Sequence, residues 1–298
     1  MATNPTKKRI QELRAIYDRL RKGKESLLRM IDEAELSESV YNSNAIENST
    51  LTLKETERIL LEMEVSRDVS VREVFEAKNL ARVMEYLPAK IQENNLSSET
   101  FLLLHEMLMS NIDDRIAGRF REKGEYVRVG THLAPPPERV KKLIADLLLA
   151  YGSDLTTYFV DAIAKFHLEF ERIHPFNDGN GRIGRVIMNG QFLRLGFPTI
   201  IIRDKEKKTY YRAFRDYNDK KQTKTMERVV TLALLESLHK RIAYLQGDTI
   251  ITLAAFSRDH RKSPSALLNA AMRQTIPAFR EKGVWKIGAT YSHRRTRL

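Results

Sequence analysis

Apolar residues recur at helical spacing through most of this chain, and that limits what it can fold into. Between residues 7 and 35, Ile10, Leu13, Ile16, Leu20, Leu27 and Ile31 stand at i, i+3 and i+4 intervals among charged residues. The same pattern returns over 53–64, 68–93, 138–150, 156–173, 182–196, 207–219 and 223–246. Ser97 or Ser98 predicts an N-cap ahead of FLLLHEMLMS, and Gly196-Phe197-Pro198 predicts a helix stop. Amphipathic helices must bury their stripes against one another, so the expected fold is mostly α. One stretch breaks the pattern. Residues 118–137 place three glycines and three prolines around the alternating run Tyr126-Val127-Arg128-Val129, which predicts a short β-hairpin and a rigid turn. An isolated hairpin in a helical protein leaves a strand edge that another chain can pair with.

The 298 residues allow two or three domains. No apolar run approaches membrane-spanning length, so no membrane partner is expected. The start, MATNPTKKRIQELR, lacks the apolar stretch of a secretory signal. The absence of cysteine excludes disulfides and thiolate metal sites. Together these predict a cytoplasmic protein.

The formal net charge is +12, which calls for an anionic partner. Residues 247–298 hold ten Lys/Arg against three Asp/Glu, so more than half of the excess lies there. Gly247-Asp248 reads as a linker. Beyond it, TLAAFSRDH predicts one helix, and SPSALLNAAMRQ a second with Ser263 as N-cap and Pro264 at the first helical position. FREKGVWKI predicts a hairpin turning at Lys282-Gly283, followed by the basic tail Ser292–Arg297. Two helices and a basic hairpin suggest a winged helix that binds DNA, with docking of a protein partner as the alternative.

The densest chemistry is HPFNDGNGRIGR, residues 174–185. Gly179 and Gly181 bracket Asn180 where a loop becomes a helix. Free N–H groups at a helix N-terminus bind anions, and glycines let a phosphate approach the backbone. Arg182 and Arg185, three residues apart on one helix face, offer fork-shaped donors to phosphate oxygens. Asp178 supplies a hard oxygen ligand of the kind Mg²⁺ takes when phosphates provide the rest. His174 can serve as general base. Base, metal ligand, anion nest and arginines together describe nucleotidyl or phosphoryl transfer from a nucleoside triphosphate.

This stretch resembles the signature of the Fic family, HPFx(D/E)GNGRxxR, without departure. The resemblance implies a helical Fic core with a small β-hairpin flap, and transfer of AMP from ATP to a Ser, Thr or Tyr hydroxyl of a target protein or of the chain itself. His174 would deprotonate the hydroxyl, and Asp178 would hold Mg²⁺. The Gly179–Gly181 backbone with Asn180 would form the nest. Arg182 would hold the inner phosphates and Arg185 the γ-phosphate, with Phe176 anchoring the loop. Tyr210, Tyr211 and Asn218 match positions that contact the adenosine in related members. Gly179 after the acid disfavours the kinase-like Doc branch.

SNAIENSTLTLKE begins at Ser43, and Ser43, Glu47 and Asn48 match (S/T)xxxE(G/N), the inhibitory helix motif of the same family. A carboxylate on Arg185 would occupy donors that the γ-phosphate needs, so the chain would be self-inhibited. In some members a similar glutamate also supports removal of AMP. The alternatives are therefore a de-AMPylase or another nucleotidyl transferase, or a DNA-associated regulator with a secondary Fic core. TIPAFREKGVWKI resembles an excisionase-like winged-helix pattern. The expected organisation is an N-terminal helical region 1–95 carrying the motif at 43–48, a catalytic core 96–246, and a winged-helix-like module 247–298. The expected partners are ATP, a protein target, DNA through 247–298, and a second copy in a homo-oligomer.

Overall fold

The computed structural model describes residues 4–65, 69–93, 96–130 and 132–291, so the basic tail 292–297 lies outside the described residues. The helices are α1 (Asn4–Leu20), α2 (Glu25–Ile46), α3 (Leu53–Glu57), α4 (Val71–Glu93), α5 (Ser98–Met109), α6 (Pro137–Ser153), α7 (Phe159–Ile173), α8 (Asn180–Arg194), α9 (Lys207–Lys220) and α10 (Lys224–Gln246). A two-stranded hairpin, β1 (Arg128–Val129) and β2 (His132–Leu133), interrupts them between α5 and α6. After α10 come β3 (Ile250–Thr252), α11 (Leu253–Asp259), α12 (Pro264–Met272), β4 (Phe279–Glu281) and β5 (Val284–Gly288). The fold is mostly α, as the periodicity predicts.

Several boundaries have visible local causes. Ser97 does cap α5, its side chain accepting from the Thr100 N–H. The single amphipathic stretch expected over 7–35 is broken at Gly23, whose φ of +71° ends α1. α7 begins at residue 159 rather than 156, because Asp154 accepts the N–H groups of Thr156 and Thr157 and holds them in a turn. The hairpin at 279–288 turns at Lys282 and Gly283, both with positive φ, as the sequence predicts. Strand β3 was not foreseen; Thr252 ends it and caps α11 through the Ala255 N–H.

The chain packs as two compact units whose described residues are 36–231 and 4–35 with 232–291. The units interleave in sequence because the boundaries between them fall within α2, at 35/36, and within α10, at 231/232. In the first, Leu80 and Val83 of α4, Phe101, Leu104 and Leu108 of α5, Phe170 of α7 and Ile183, Val186 and Ile187 of α8 form one buried cluster. α8 packs against α4 and α7 in this cluster, which makes it the central rod of the unit. Fully burying a side chain of this size stabilises by about 1.5–3 kcal/mol, so the ends of α7 and α8 are held by many contacts.

The second unit has a three-stranded antiparallel sheet in the order β3-β5-β4. Leu253, Phe256, Ala271, Ile276, Ala278 and Ile287 form its small core. Its buried charges are paired: Arg241 bonds Asp32 and Glu35, and Lys240 bonds Glu35 and Glu281. Among the described residues no helix is long and apolar enough to cross a membrane.

Candidate active site

The site is built where α7 ends and α8 begins. His174 closes α7 in the left-handed conformation, φ +51°, its N–H donating to Phe170 O. Gly179, φ +77°, is the N-cap of α8. The Asn180 side chain closes the loop between them, donating to Phe176 O at 2.8 Å and accepting the Phe176 N–H at 2.9 Å. That side chain is spent on shaping the loop; its backbone N–H lies at the helix start. Phe176 is fully buried and stacks on His105, ring centroids 3.8 Å apart. His105 in turn accepts the Gly118 N–H at Nδ1 and donates from Nε2 to Asp178 O.

Burial pulls the His174 imidazole down to about 4, against its hydrogen bond to the Glu171 carbonyl. It is therefore neutral at pH 7. The 3.3 Å contact of Nδ1 with that carbonyl places the ring proton on Nδ1 and leaves the Nε2 lone pair for a substrate proton. Arg121 is buried and holds the turn from behind. Its guanidinium donates to the carbonyls of His174, Ile173, Pro135 and Glu125, and its N–H to Pro175 O.

Arg185 is the most heavily bonded charge of the site. Nε donates to Ser43 Oγ at 2.9 Å, and Nη2 to Ser43 O at 2.8 Å and Glu47 Oε1 at 2.9 Å. Nη1 donates to Tyr210 OH at 3.4 Å. Ser43 and Glu47 lie one helical turn apart at the end of α2, which is why both reach one guanidinium. The N–H of Asn48 bonds Ala45 O and that of Ser49 bonds Asn44 O, a Schellman ending. That ending needs a left-handed residue at position 48, and Asn48 adopts φ +70°. The last position of the motif, Gly or Asn, thus has a backbone cause.

Glu47 also covers the start of α8. A Cβ built on Gly181 would lie 2.1 Å from Glu47 Oε1, so the carboxylate fills the space that glycine opens at the helix N-terminus.

Asp178 and Arg182 belong to a closed ring of charges that sequence reasoning missed. Arg72 bonds Asp178 and Glu76, and Arg182 bonds the same two carboxylates at 3.1 and 3.2 Å. Arg72 and Glu76 stand at i and i+4 on α4, a spacing that in sequence looks like any solvated pair. Asp178 is the one expected metal ligand, and among the described residues no group of three or more His, Asp or Glu could hold a metal alone. A single carboxylate with a side chain 37% exposed fits a Mg²⁺ that arrives on phosphates and keeps waters, provided that the half-exposed Arg72 swings away.

The three positions expected at the adenosine differ in setting. Tyr210 is buried and bonds His167 Nε2 at 2.6 Å, so it belongs to the hub behind Arg185. Tyr211 donates to Ile46 O at 2.9 Å, which ties α9 to the end of α2. Asn218 Oδ1 is buried without a protein partner.

Glu171 was also missed, although it stands three residues before His174 on α7. Burial and then the Glu47 charge push its carboxyl up to about 8, against Arg185.

Comparison with known proteins agrees with this geometry. Residues 95–192 match the Fic/DOC family. The chain is 30% identical over 201 residues to a protein adenylyltransferase Fic of Nematostella vectensis, covering 66% of this chain and 46% of that protein. It thus spans less than half the length of that curated relative. A Fic domain containing signaling protein of Bacteroides thetaiotaomicron superposes with TM-score 0.72 at 25% identity, over 80% of this chain and 97% of the other. A Fic family protein of Desulfovibrio desulfuricans shares the fold over 99% of both chains, with TM-score 0.66 at 22% identity. With the motif, the loop and the helical core in agreement, the chain carries a Fic/DOC family domain over residues 95–192.

Proposed function

We propose that the chain is a protein adenylyltransferase that takes AMP from ATP, held in check by its own Glu47. The observation that carries this reading is the Glu47 carboxylate lying on both Arg185 and the N-terminus of α8. An anion already occupies the place where the rest of the motif would receive phosphate.

The reaction needs a target Ser, Thr or Tyr hydroxyl to attack the α-phosphorus. His174 Nε2 takes the hydroxyl proton, the new O–P bond forms, and the bond to the β-phosphate oxygen breaks with release of pyrophosphate. The N–H groups at the start of α8 and Arg182 hold the inner phosphates, and Arg185 holds the γ-phosphate once Glu47 leaves. Asp178 would hold the Mg²⁺, which screens phosphate charge. The β1–β2 hairpin offers a strand edge to the target.

The test is incubation of the purified chain with Mg²⁺ and ATP labelled at the α-phosphate. A charge-assisted hydrogen bond of this kind contributes on the order of 2–3 kcal/mol, so Glu47→Gly should raise self-labelling roughly 30–150-fold. Glu47→Gly/His174→Ala should abolish it while ATP still binds, since a positioned base typically contributes about 10²–10⁴-fold. Equal labelling of Glu47→Gly and wild type would overturn the brake, and labelling without His174 would overturn the base.

A second proposal concerns residues 247–291. The order strand, helix, helix, strand, strand, with β5 central in the sheet, supports a winged-helix reading. In that reading α12, with Leu268 and Met272 exposed, faces a partner. With the basic excess of this region, we propose duplex DNA. Mobility shifts of the full chain that weaken steeply between low and moderate salt are expected. No shift at low salt would leave protein docking.

A further inference from the structure

Gly181 and Gly184 stand one turn apart in the same row of α8, and each glycine makes room for a carboxyl. A Cβ on Gly181 would lie 2.1 Å from Glu47 Oε1 and 3.1 Å from Arg185 Nη1. A Cβ on Gly184 would lie 2.7 Å from Glu171 Oε1 and 2.9 Å from His167 Cε1. Neighbouring Cβ positions in such a row are about 5–6 Å apart. Glu171 therefore sits about one helical turn from the Glu47–Arg185 pair. Its side chain is 12% exposed, Oε1 is buried with no partner, and Oε2 is 3.8 Å from His174 Nδ1. An unpaired buried carboxylate is costly, so this group keeps its proton wherever its surroundings are negative.

We propose that Glu171 is a positioning residue that couples what occupies Arg185 to the protonation of His174. With an anion on Arg185, whether Glu47 or a phosphate, the Glu171 carboxyl stays neutral and leaves His174 an imidazole, competent as a base. With Arg185 vacant, the uncompensated guanidinium draws Glu171 into its carboxylate form, which pairs with His174 and holds it as imidazolium, unable to take a proton. The change is a proton shift within the pair: the carboxyl proton is lost and the imidazole gains one. Names and roles of the base and the phosphate donors rest on the adenylyltransferase reading; the coupling itself rests on the three side chains.

The surrounding charges favour this. Glu171 faces Glu47 at the end of α2, Arg185 on α8, His167 and His174 on its own helix and its end, and Tyr210 on α9. Glu47 is the anion among these that opposes its ionisation. His174 faces Arg121 and His132, which disfavour its charge, and Glu47, which favours it. Removing Glu47 would by itself make His174 harder to protonate. A rise in its proton affinity therefore has to come from Glu171.

The test follows His174 by NMR titration in the nucleotide-free full chain labelled at histidine Cε1, the signal assigned by its loss in His174→Asn. Glu47→Gly should raise the proton affinity of His174 by about a thousandfold or more, three pH units in midpoint, since a smaller rise from about 4 would leave the ring neutral at pH 7. Glu47→Gly/Glu171→Gln should return it to wild type or below, whereas Glu171→Gln alone should move it little. The same midpoint in Glu47→Gly and the double variant would overturn the proposal. If the double variant does not fold, infrared spectra decide. The C=O band of a protonated carboxylic acid at pH 7 should be present in wild type and absent from Glu47→Gly, and its persistence there would overturn the coupling. Failure of Glu47→Gly to label itself, with the titration shift present, would overturn the transferase reading and leave the coupling standing.

Discussion

At the scale of single residues, the site is decided by what glycines leave open and by which charges are already engaged. Gly184 is as constrained as the motif arginines: an added methyl meets Glu171 Oε1 at 2.7 Å and His167 Cε1 at 2.9 Å, both on a packed helix. Gly184→Ala is expected to cost about 1–3 kcal/mol of stability through overpacking, read from urea denaturation, despite the better helix propensity of alanine. Arg72 gives an opposite kind of prediction. It occupies Asp178 from α4, but Glu76 would still hold Arg182 without it. In the Glu47→Gly background, Arg72→Ala should therefore lower the Mg²⁺ concentration needed for half-maximal self-labelling. A higher requirement would mean that Arg72 helps to hold phosphate instead of blocking the ligand.

At the scale of elements, two helix ends place the side chains of the site. The Schellman ending of α2 places Glu47, and it depends on Asn48 in a left-handed conformation that other non-glycine residues enter at a cost of roughly 1–2 kcal/mol. Asn48→Gly should keep the brake. Asn48→Ala should loosen the ending and raise self-labelling, by less than Glu47→Gly does. The other end is the left-handed turn at His174, held by Arg121. Five carbonyls receive its guanidinium and backbone N–H. A lysine has a single point of donation and cannot span them. Arg121→Lys should lower transfer by Glu47→Gly while leaving ATP binding near its starting value, as equilibrium dialysis would show.

At the scale of the whole molecule, buried titratable groups set the response to pH. Burial pulls His105, His174 and His239 down to about 4 and His167 down to about 3. A histidine whose folded value lies below its unfolded value of about 6.5 contributes stability above that pH, and loses it as pH falls toward the folded value. Glu171 has the opposite sign: raised to about 8 by burial and Glu47, it contributes fully below the unfolded carboxylate value and loses that contribution as pH rises toward 8. Stability should therefore climb from about pH 4 to about 7, where the histidine and Glu171 terms balance, and decline gently from there to 8. Glu171→Gln should remove the alkaline decline and steepen the climb on the acid side, because the Glu171 contribution is lost from about 4.5 upward. Urea midpoints across this range would check both limbs, and an unchanged alkaline limb in Glu171→Gln would refute the assignment of Glu171.

How much of this a reader of the sequence can see depends on the range of the interaction. The helices were legible because periodicity, the Ser97 cap and the Lys282-Gly283 turn act within a few residues. His174, Asp178 and the glycines around Asn180 were legible because the loop that joins two helices holds them within twelve positions. The Ser43–Glu47 spacing was legible for a similar reason, since both lie on one helical turn, and their pairing with Arg185 was implied by the family's inhibitory motif. Tertiary structure alone decided that Arg72 and Glu76 close a ring with Asp178 and Arg182, that Tyr210 backs Arg185 from within, and that Glu171 lies unpaired beside His174. Each of these depends on how α4, α7, α8 and α9 pack, over separations at which a side chain's charge leaves no trace in local sequence. Interleaving of the two units through α2 and α10 belongs to the same class, because a helix shows which face it will bury and not which partner will cover each half.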